Sequence, residues 1–261
     1  MALIDALIEL SLEAGEAILA IYARGFAVTH KDDDSPVTEA DLEAERIILK
    51  GLHAAAPTIP VVAEESVAAG RIPPPCTEFF LVDPLDGSKE FISRNGEFTV
   101  NIALVRDGVP VLGVVYAPAL GRIWWGGEGA PASAARVIGG KLADITPIRC
   151  TGPAQAGHRV VGSRSHGTRE LDDFLGTIEV AEFVPAGSSL KFCLLAEGKA
   201  DLYPRFGRTM EWDTAAGDAV LRAAGGQVVT LGDNPLTYGK RDQATDSDFA
   251  NPNFLARTHS G

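Results

Sequence analysis

Positive charge is scarce in this chain. Its 261 residues carry 23 Lys and Arg against 35 Asp and Glu, a formal net charge of −12. Tracking a nucleic-acid backbone needs a basic stripe, so a nucleic-acid polymer is excluded as a partner. Cysteine is nearly absent. Cys76, Cys150 and Cys193 are odd in number and far apart. They match neither a disulfide framework nor a metal-ligand spacing, which points to a reducing, cytoplasmic setting. The N-terminus lacks a basic segment, and Asp5, Glu9, Glu13 and Glu16 interrupt its first apolar stretch. It reads as neither a signal peptide nor a transmembrane segment. Internal repeats and long low-complexity tracts are missing too. What is present is ordinary: 46% hydrophobic and 22% charged residues, the composition of a globular protein. At this length about three-quarters of the unfolded surface can be buried, so no staple is required.

Apolar spacing at Leu3, Leu7, Leu10, Ala14, Ile18 and Ile21 predicts an amphipathic helix over residues 2–23. A second helix runs from Glu39 to Ala55, with Thr38 at its start and Pro57 past its end. Strands are expected at Val61–Ala63 and Phe79–Val82, with an irregular, triple-proline insert between them. Residues 97–116 read as a hairpin turning at Asp107-Gly108, and Ile123–Trp125 as a strand. The Gly-, Ala- and Pro-rich stretch 126–147 promises a short strand or two at most. Beyond it strands (Arg159–Gly162, Glu179–Val184, Ala200–Tyr203, Gln227–Thr230) alternate with helices (Thr168–Leu175, Ser189–Glu197, Asp213–Ala224). The first half is therefore α+β with an antiparallel sheet and the second α/β, with a domain boundary near residue 150.

Four acidic segments carry the chemistry. Asp83-Pro84-Leu85-Asp86-Gly87-Ser88 follows the apolar run Phe79–Val82 and puts two carboxylates, a glycine and a hydroxyl at a strand end. Hard cations such as Mg²⁺ take oxygen ligands together with substrate phosphates. The Gly-Ser turn opening a short helix at 89–92 leaves backbone N–H groups that suit an anion. The others are Ala63-Glu64-Glu65-Ser66, Thr38-Glu39-Ala40-Asp41 and Glu211-Trp212-Asp213-Thr214-Ala215-Ala216-Gly217-Asp218. Each has a plain reading as well. Asp213 could be a helix N-cap, Asp41 a first-turn charge, Glu64-Glu65 surface charge and Asp83-Pro84 an ordinary turn. Repetition at strand and helix ends favours a site for a divalent metal and a phosphate.

Taken together, Asp83–Ser88 and Trp212-Asp213-Thr214-Ala215-Ala216-Gly217 resemble the paired signature of the inositol monophosphatase superfamily, Mg²⁺-dependent, lithium-sensitive phosphomonoesterases. Pro36–Asp41 and Glu64–Ser66 resemble its two other motifs, in order and in register over residues 30 to 230. Lys89–Ile92, Arg94–Ile102, Gly187–Cys193 and Tyr203–Gly207 resemble the CysQ-type branch, the bacterial 3′(2′),5′-bisphosphate nucleotidases. This resemblance implies a layered αβαβα sandwich, with an antiparallel N-terminal sheet and a mixed C-terminal sheet. It places most metal ligands in residues 1–150, and Asp213 with the nucleotide contacts in 151–261.

The resemblance also implies roles. Glu64, Asp83 and the Leu85 carbonyl would hold one Mg²⁺, and Asp83, Asp86 and Asp213 a second, with two or three ions per site. Asp41 would orient the attacking water through the residue 88 hydroxyl, here Ser88 where the family pattern has threonine. Gly87 and Ser88 N–H groups would meet the scissile phosphate. Lys191 and Arg205, with the Gly187-Ser188-Ser189 turn, would clamp the distal phosphate, and His166 would contact the nucleotide. Against these stand a surface-helix reading of Lys191 and a solvated-loop reading of His166. The implied reaction removes the 3′-phosphate of adenosine 3′,5′-bisphosphate. The alternatives are an inositol or sugar monophosphatase, and a non-catalytic phosphonucleotide-binding protein. Peripheral membrane association is compatible with the resemblance, though no basic amphipathic helix is present to drive it.

Overall fold

The computed structural model describes residues 2–26, 28–30, 36–152, 157–163 and 168–258. The first amphipathic pattern forms helix α1 (Leu3–Arg24), which buries Leu7, Ala14, Ile18 and Ile21. A small ribbon follows, β1 (Val28–His30) paired antiparallel with β2 (Pro36–Thr38). It leads into α2 (Glu39–Ala55). Then come β3 (Val61–Ala63), the five-residue α3 (Glu64–Ala68), β4 (Glu78–Asp86) and the five-residue α4 (Ser88–Ile92). A meander continues through β5 (Thr99–Arg106), β6 (Val109–Ala117), β7 (Arg122–Gly127), β8 (Ala130–Ile138) and β9 (Lys141–Pro147). These form a seven-stranded sheet in sequence order β3 to β9, antiparallel except for the β3–β4 pair.

Two long strands thus occupy residues 130–147, where short ones are expected from composition. Alanine supplies the reason. Ala132, Ala134 and Ala135 are buried on β8, where small side chains let the sheet be covered closely. Helix formers by propensity, they are held in a strand by pairing on both sides.

The second sheet is mixed. Its strands are β10 (His158–Gly162), β11 (Val180–Pro185), β12 (Leu202–Arg205), β14 (Gly226–Thr230) and β16 (Phe254–Thr258), in the order β11-β10-β12-β16-β14. The intervening helices are α5 (Arg169–Leu175), α6 (Leu190–Ala196) and α7 (Glu211–Ala223). The two-residue strands β13 (Thr209–Met210) and β15 (Ala250–Asn251) pair with each other. β16 lies inside its sheet, between β12 and β14, yet is only five residues long and close to the C-terminus, and its alternation is too brief to stand out in the sequence.

The layers follow from which face each side chain takes. Alternate residues of β4 point opposite ways. Phe80 and Val82 pack with α1 and α2, while Phe79 and Leu81 pack with α6 and α7. Both faces are covered, so β4 reads as a continuous apolar run. The inner face of the second sheet, through Val161, Tyr203, Val228 and Phe254, closes on the same α6–α7 layer. On its outer face Phe174 of α5 lines a cavity with His158, Leu202 and Leu255. The order is therefore αβαβα, as expected. Among the described residues no helix is long and apolar enough to cross a membrane.

Helix α7 is the shared wall, and its buried charge gives a test. Asp218 is fully buried, accepting from Arg222 Nε at 2.7 Å and from the Tyr238 hydroxyl at 3.0 Å. Burial outweighs the Arg222 charge and pushes its carboxyl up to about 6. The folded state then holds this proton more tightly than the unfolded chain. The group stabilises the fold at low pH, and that contribution fades as pH rises through about 6. Asp218→Asn is expected to flatten the dependence of Tm on pH between about pH 4 and pH 6. An unchanged profile would place the titration elsewhere.

Candidate active site

Strand β4 delivers the first two carboxylates. Its register against β5 slips between Asp83↔Asn101 and Asp86↔Thr99, so one extra residue is accommodated there. Such a bulge bends the strand and re-aims side chains. Asp83 Oδ1 accepts from the Leu85 N–H at 3.0 Å, which holds the turn. Gly87 then takes φ +93°, a conformation that disfavours any side chain, and a Cβ there would meet Glu90 Oε2 at 3.2 Å.

Asp41 and Asp213 arrive on separate helices by the same device. Each is the third residue of its helix, and each turns Oδ2 back to the N-cap N–H, of Thr38 at 2.8 Å and of Met210 at 2.8 Å. Asp213 is therefore not the N-cap that its spacing suggests, because α7 starts two residues earlier, at Glu211. Capping by one oxygen fixes the carboxylate without consuming it. Asp41 Oδ1 accepts the Ser88 hydroxyl at 3.3 Å.

The four motifs meet. Asp83, only 2% exposed, has its carboxyl raised well above the usual range, first by burial and then by repulsion from Glu64, Asp86, Asp213 and Asp41. Asp213 is raised as well, by burial and the Asp86 charge, with the Met210 N–H opposing. The leading charges acting on Asp83 are thus all negative. Asp86 Oδ2 accepts from the hydroxyls of Ser188 at 2.5 Å and Ser189 at 3.1 Å. Among the described residues no three acidic, His or Cys side chains are drawn together into a group that holds a metal as they stand.

Beside Asp86 and Asp213 opens a cavity of about 130 Å³, also lined by Ser163, Ser188, Lys191, Tyr203 and Arg205. Strands β10 and β12 pair at Val160↔Leu202. Two residues later Pro204, with no N–H to donate, cannot extend that ladder, and the cavity lies just beyond. Lys191 is not a surface residue. It is 5% exposed, and its Nζ donates to the carbonyls of Ser188 at 2.8 Å and Ala186 at 3.3 Å. Burial lowers its ammonium to about 8 against the pull of Asp86, with Arg205 adding to the lowering. Arg205 Nη2 donates to the Arg208 carbonyl at 3.1 Å, while its Nε is buried without a partner among the described residues. Ser188 sits at φ +51°, held there by its hydroxyl contacts to Asp86 and to Thr99 Oγ1 at 2.7 Å. The Gly187 N–H, expected to face an anion, instead donates to Glu97 at 2.8 Å. His166 lies outside the described residues.

Sequence reasoning passed over two groups of residues. Asn101 Nδ2 donates to Ser189 Oγ at 2.9 Å, and Thr99 reaches Ser188. Both are polar at i and i+2 on an otherwise apolar strand, hence on one face, and that pattern was there to be found. Glu45, 4% exposed, gives no such signal, because a glutamate in an amphipathic helix reads as solvated.

The inositol monophosphatase family model matches residues 2–260. The 3′(2′),5′-bisphosphate nucleotidase CysQ of Salmonella typhimurium is 45% identical over 254 residues, 97% of this chain and 98% of that one. The CysQ protein of Escherichia coli K12 is 44% identical over the same shares. Among solved structures, CysQ from Bacteroides thetaiotaomicron superposes with a TM-score of 0.79 at 39% identity, covering 98% of this chain and 97% of that one. An inositol monophosphatase from Anabaena superposes at 0.75 with 22% identity, covering 99% and 91%, a likeness of fold alone.

Proposed function

The chain belongs to the inositol monophosphatase family, and on that premise we propose that it is a Mg²⁺-dependent 3′(2′),5′-bisphosphate nucleotidase. It removes the 3′-phosphate of adenosine 3′,5′-bisphosphate in the cytoplasm and leaves AMP and phosphate. The observation that carries this reading is the pairing of the buried carboxylate cluster with a cavity holding two cations, Lys191 and Arg205. A monophosphate ester needs the first and has no use for the second. The 45% identity to the Salmonella nucleotidase agrees with it.

The donor set suits a hard divalent cation: oxygen ligands, deep burial and mutual repulsion that a cation relieves. Glu64, Asp83, Asp86, Asp213 and the Leu85 carbonyl would hold two or three Mg²⁺. When bound, Mg²⁺ supplies charge neutralisation for the phosphoryl group and lowers the pKa of a water.

The protein's own groups do the rest. Thr38 fixes Asp41, and Asp41 fixes the Ser88 hydroxyl by accepting its hydrogen bond. The Ser88 lone pairs are then free to accept from the attacking water and aim it in line with the 3′-ester bond. Backbone N–H groups at Gly87 and Ser88 would meet the scissile phosphate. Across the cavity, Lys191 spends two of its three donors on carbonyls and keeps one for the 5′-phosphate. Arg205 adds a second charge there. In this reading residues 1–150 carry most of the metal ligands, and residues 151–261 carry Asp213 and the distal clamp.

Phosphate release from adenosine 3′,5′-bisphosphate, measured with Mg²⁺ and with chelator, tests this directly. Turnover that needs Mg²⁺ is expected. Tight binding of the bisphosphate without release would support a binding protein instead. Ser88 has its own test. Ser88→Ala is expected to lower kcat about a hundredfold with KM little changed, while Ser88→Thr raises kcat about twofold by restricting χ1. An Ala variant with unaltered kcat would remove the Asp41–Ser88 pair from the mechanism.

A further inference from the structure

Both carboxylate oxygens of the buried Glu45 are engaged with one distant turn. Oε2 accepts from the Glu65 backbone N–H at 2.8 Å, and Oε1 accepts the Ser66 hydroxyl at 2.7 Å. The contacts join the middle of α2 to the first turn of α3, the turn that begins at Glu64. That turn needs outside help. Its N-cap residue is Ala63, which has no side-chain acceptor, and the first N–H groups of a helix have no partner inside it. Left unpaired in the interior, such a group carries a desolvation penalty.

We propose that Glu45 is a positioning residue for the metal site: by capping α3 from another element it fixes the turn that sets the Glu64 carboxylate beside Asp83. The inference rests on the reading of Glu64 as a metal ligand. A second observation supports it. Asp41 lies one helical turn before Glu45, so the two share a face of α2. From that face Asp41 holds the Ser88 hydroxyl, and Glu45 holds the Glu64 turn. One rigid helix thereby sets the distance between the hydroxyl that aims the water and a carboxylate that meets the ion. Partners of this kind, one bond behind the ligands, typically change metal affinity or activity about 10–100-fold when removed.

The test is a Mg²⁺ titration followed by thermal melting, which needs no turnover, together with kcat and KM for adenosine 3′,5′-bisphosphate. Glu45→Gln keeps the volume and one acceptor. It is expected to move the Mg²⁺ midpoint about tenfold higher, with KM within about twofold of the parent. Ser66→Ala, which leaves the Glu65 N–H contact in place, is expected to move it the same way by about threefold. It keeps the question open to measurement if Glu45→Gln does not fold. Variants that melt lower by equal amounts with and without Mg²⁺, at an unshifted midpoint, would make Glu45 a cap for the fold only and overturn the proposal. A parent protein whose melting ignores Mg²⁺ would instead overturn the Glu64 reading, and this inference with it.

Discussion

Asp83→Asn is expected to abolish Mg²⁺-dependent phosphate release, by about a thousandfold or more, and at the same time to stabilise the metal-free protein. The two effects have one cause. Asp83 is buried at 2% exposure, and Glu64, Asp86, Asp213 and Asp41 all act against its charge. Without metal that charge is a burden, and in the proposed reading it is a metal ligand. Asparagine keeps the volume and the oxygen that accepts from Leu85 N–H, so the turn survives. The loss of rate reflects several kcal/mol of charge stabilisation by the metal, at about 1.4 kcal/mol per decade. The gain in metal-free Tm should be a few degrees, since about 1 kcal/mol shifts Tm by about 2–4 °C in a domain of this size. Added Mg²⁺ should raise the parent's Tm by mass action and leave the variant's nearly unmoved. Melting curves at several Mg²⁺ concentrations check this. A variant less stable than the parent without metal, with Mg²⁺-dependent turnover retained, would show that the cluster is not the metal site.

Lys191→Met is expected to lower kcat/KM for adenosine 3′,5′-bisphosphate about a hundredfold, mostly through KM, and to change turnover of a monophosphate such as 3′-AMP by less than about fivefold. A charge-assisted hydrogen bond is worth about 1.5–3 kcal/mol, and the loss of a buried charge facing a dianion adds to it. Methionine keeps an unbranched apolar stem and gives up only the ammonium, which lies 5.4 Å from the Tyr203 ring centroid, so the effect reports charge more than packing. The same lysine gives a pH signature. Burial holds its ammonium near 8, so affinity for the bisphosphate should weaken as pH rises through about 8 and should do so in the parent only. Equal losses on both substrates would move Lys191 out of the distal clamp and into the fold. Michaelis parameters for the two substrates, from about pH 7 to pH 9, decide the matter.

Much of this arrangement is legible in the residues. The apolar run of β4 shows because both of its faces are covered, and α1 and α2 show because only one of theirs is. The acidic motifs, spread from residue 38 to residue 218, are brought near enough for their carboxylates to act on one another. Three features were hidden for physical reasons. The alanine-rich strand β8 is imposed by pairing with β7 and β9 and not by propensity. Asp213 lies inside its helix and not at its cap, since both positions favour aspartate for the same electrostatic reason. The burial of Lys191 follows from α6 being enclosed between sheets, which a seven-residue window does not reveal.

Substrate preference is the most direct test of the account. The ratio of kcat/KM for adenosine 3′,5′-bisphosphate to that for inositol 1-phosphate, measured in the same Mg²⁺ buffer, is predicted to exceed about a hundred, because under the proposal only the nucleotide would engage Lys191 and Arg205. A ratio below one would contradict it and assign the site to an inositol or sugar monophosphate.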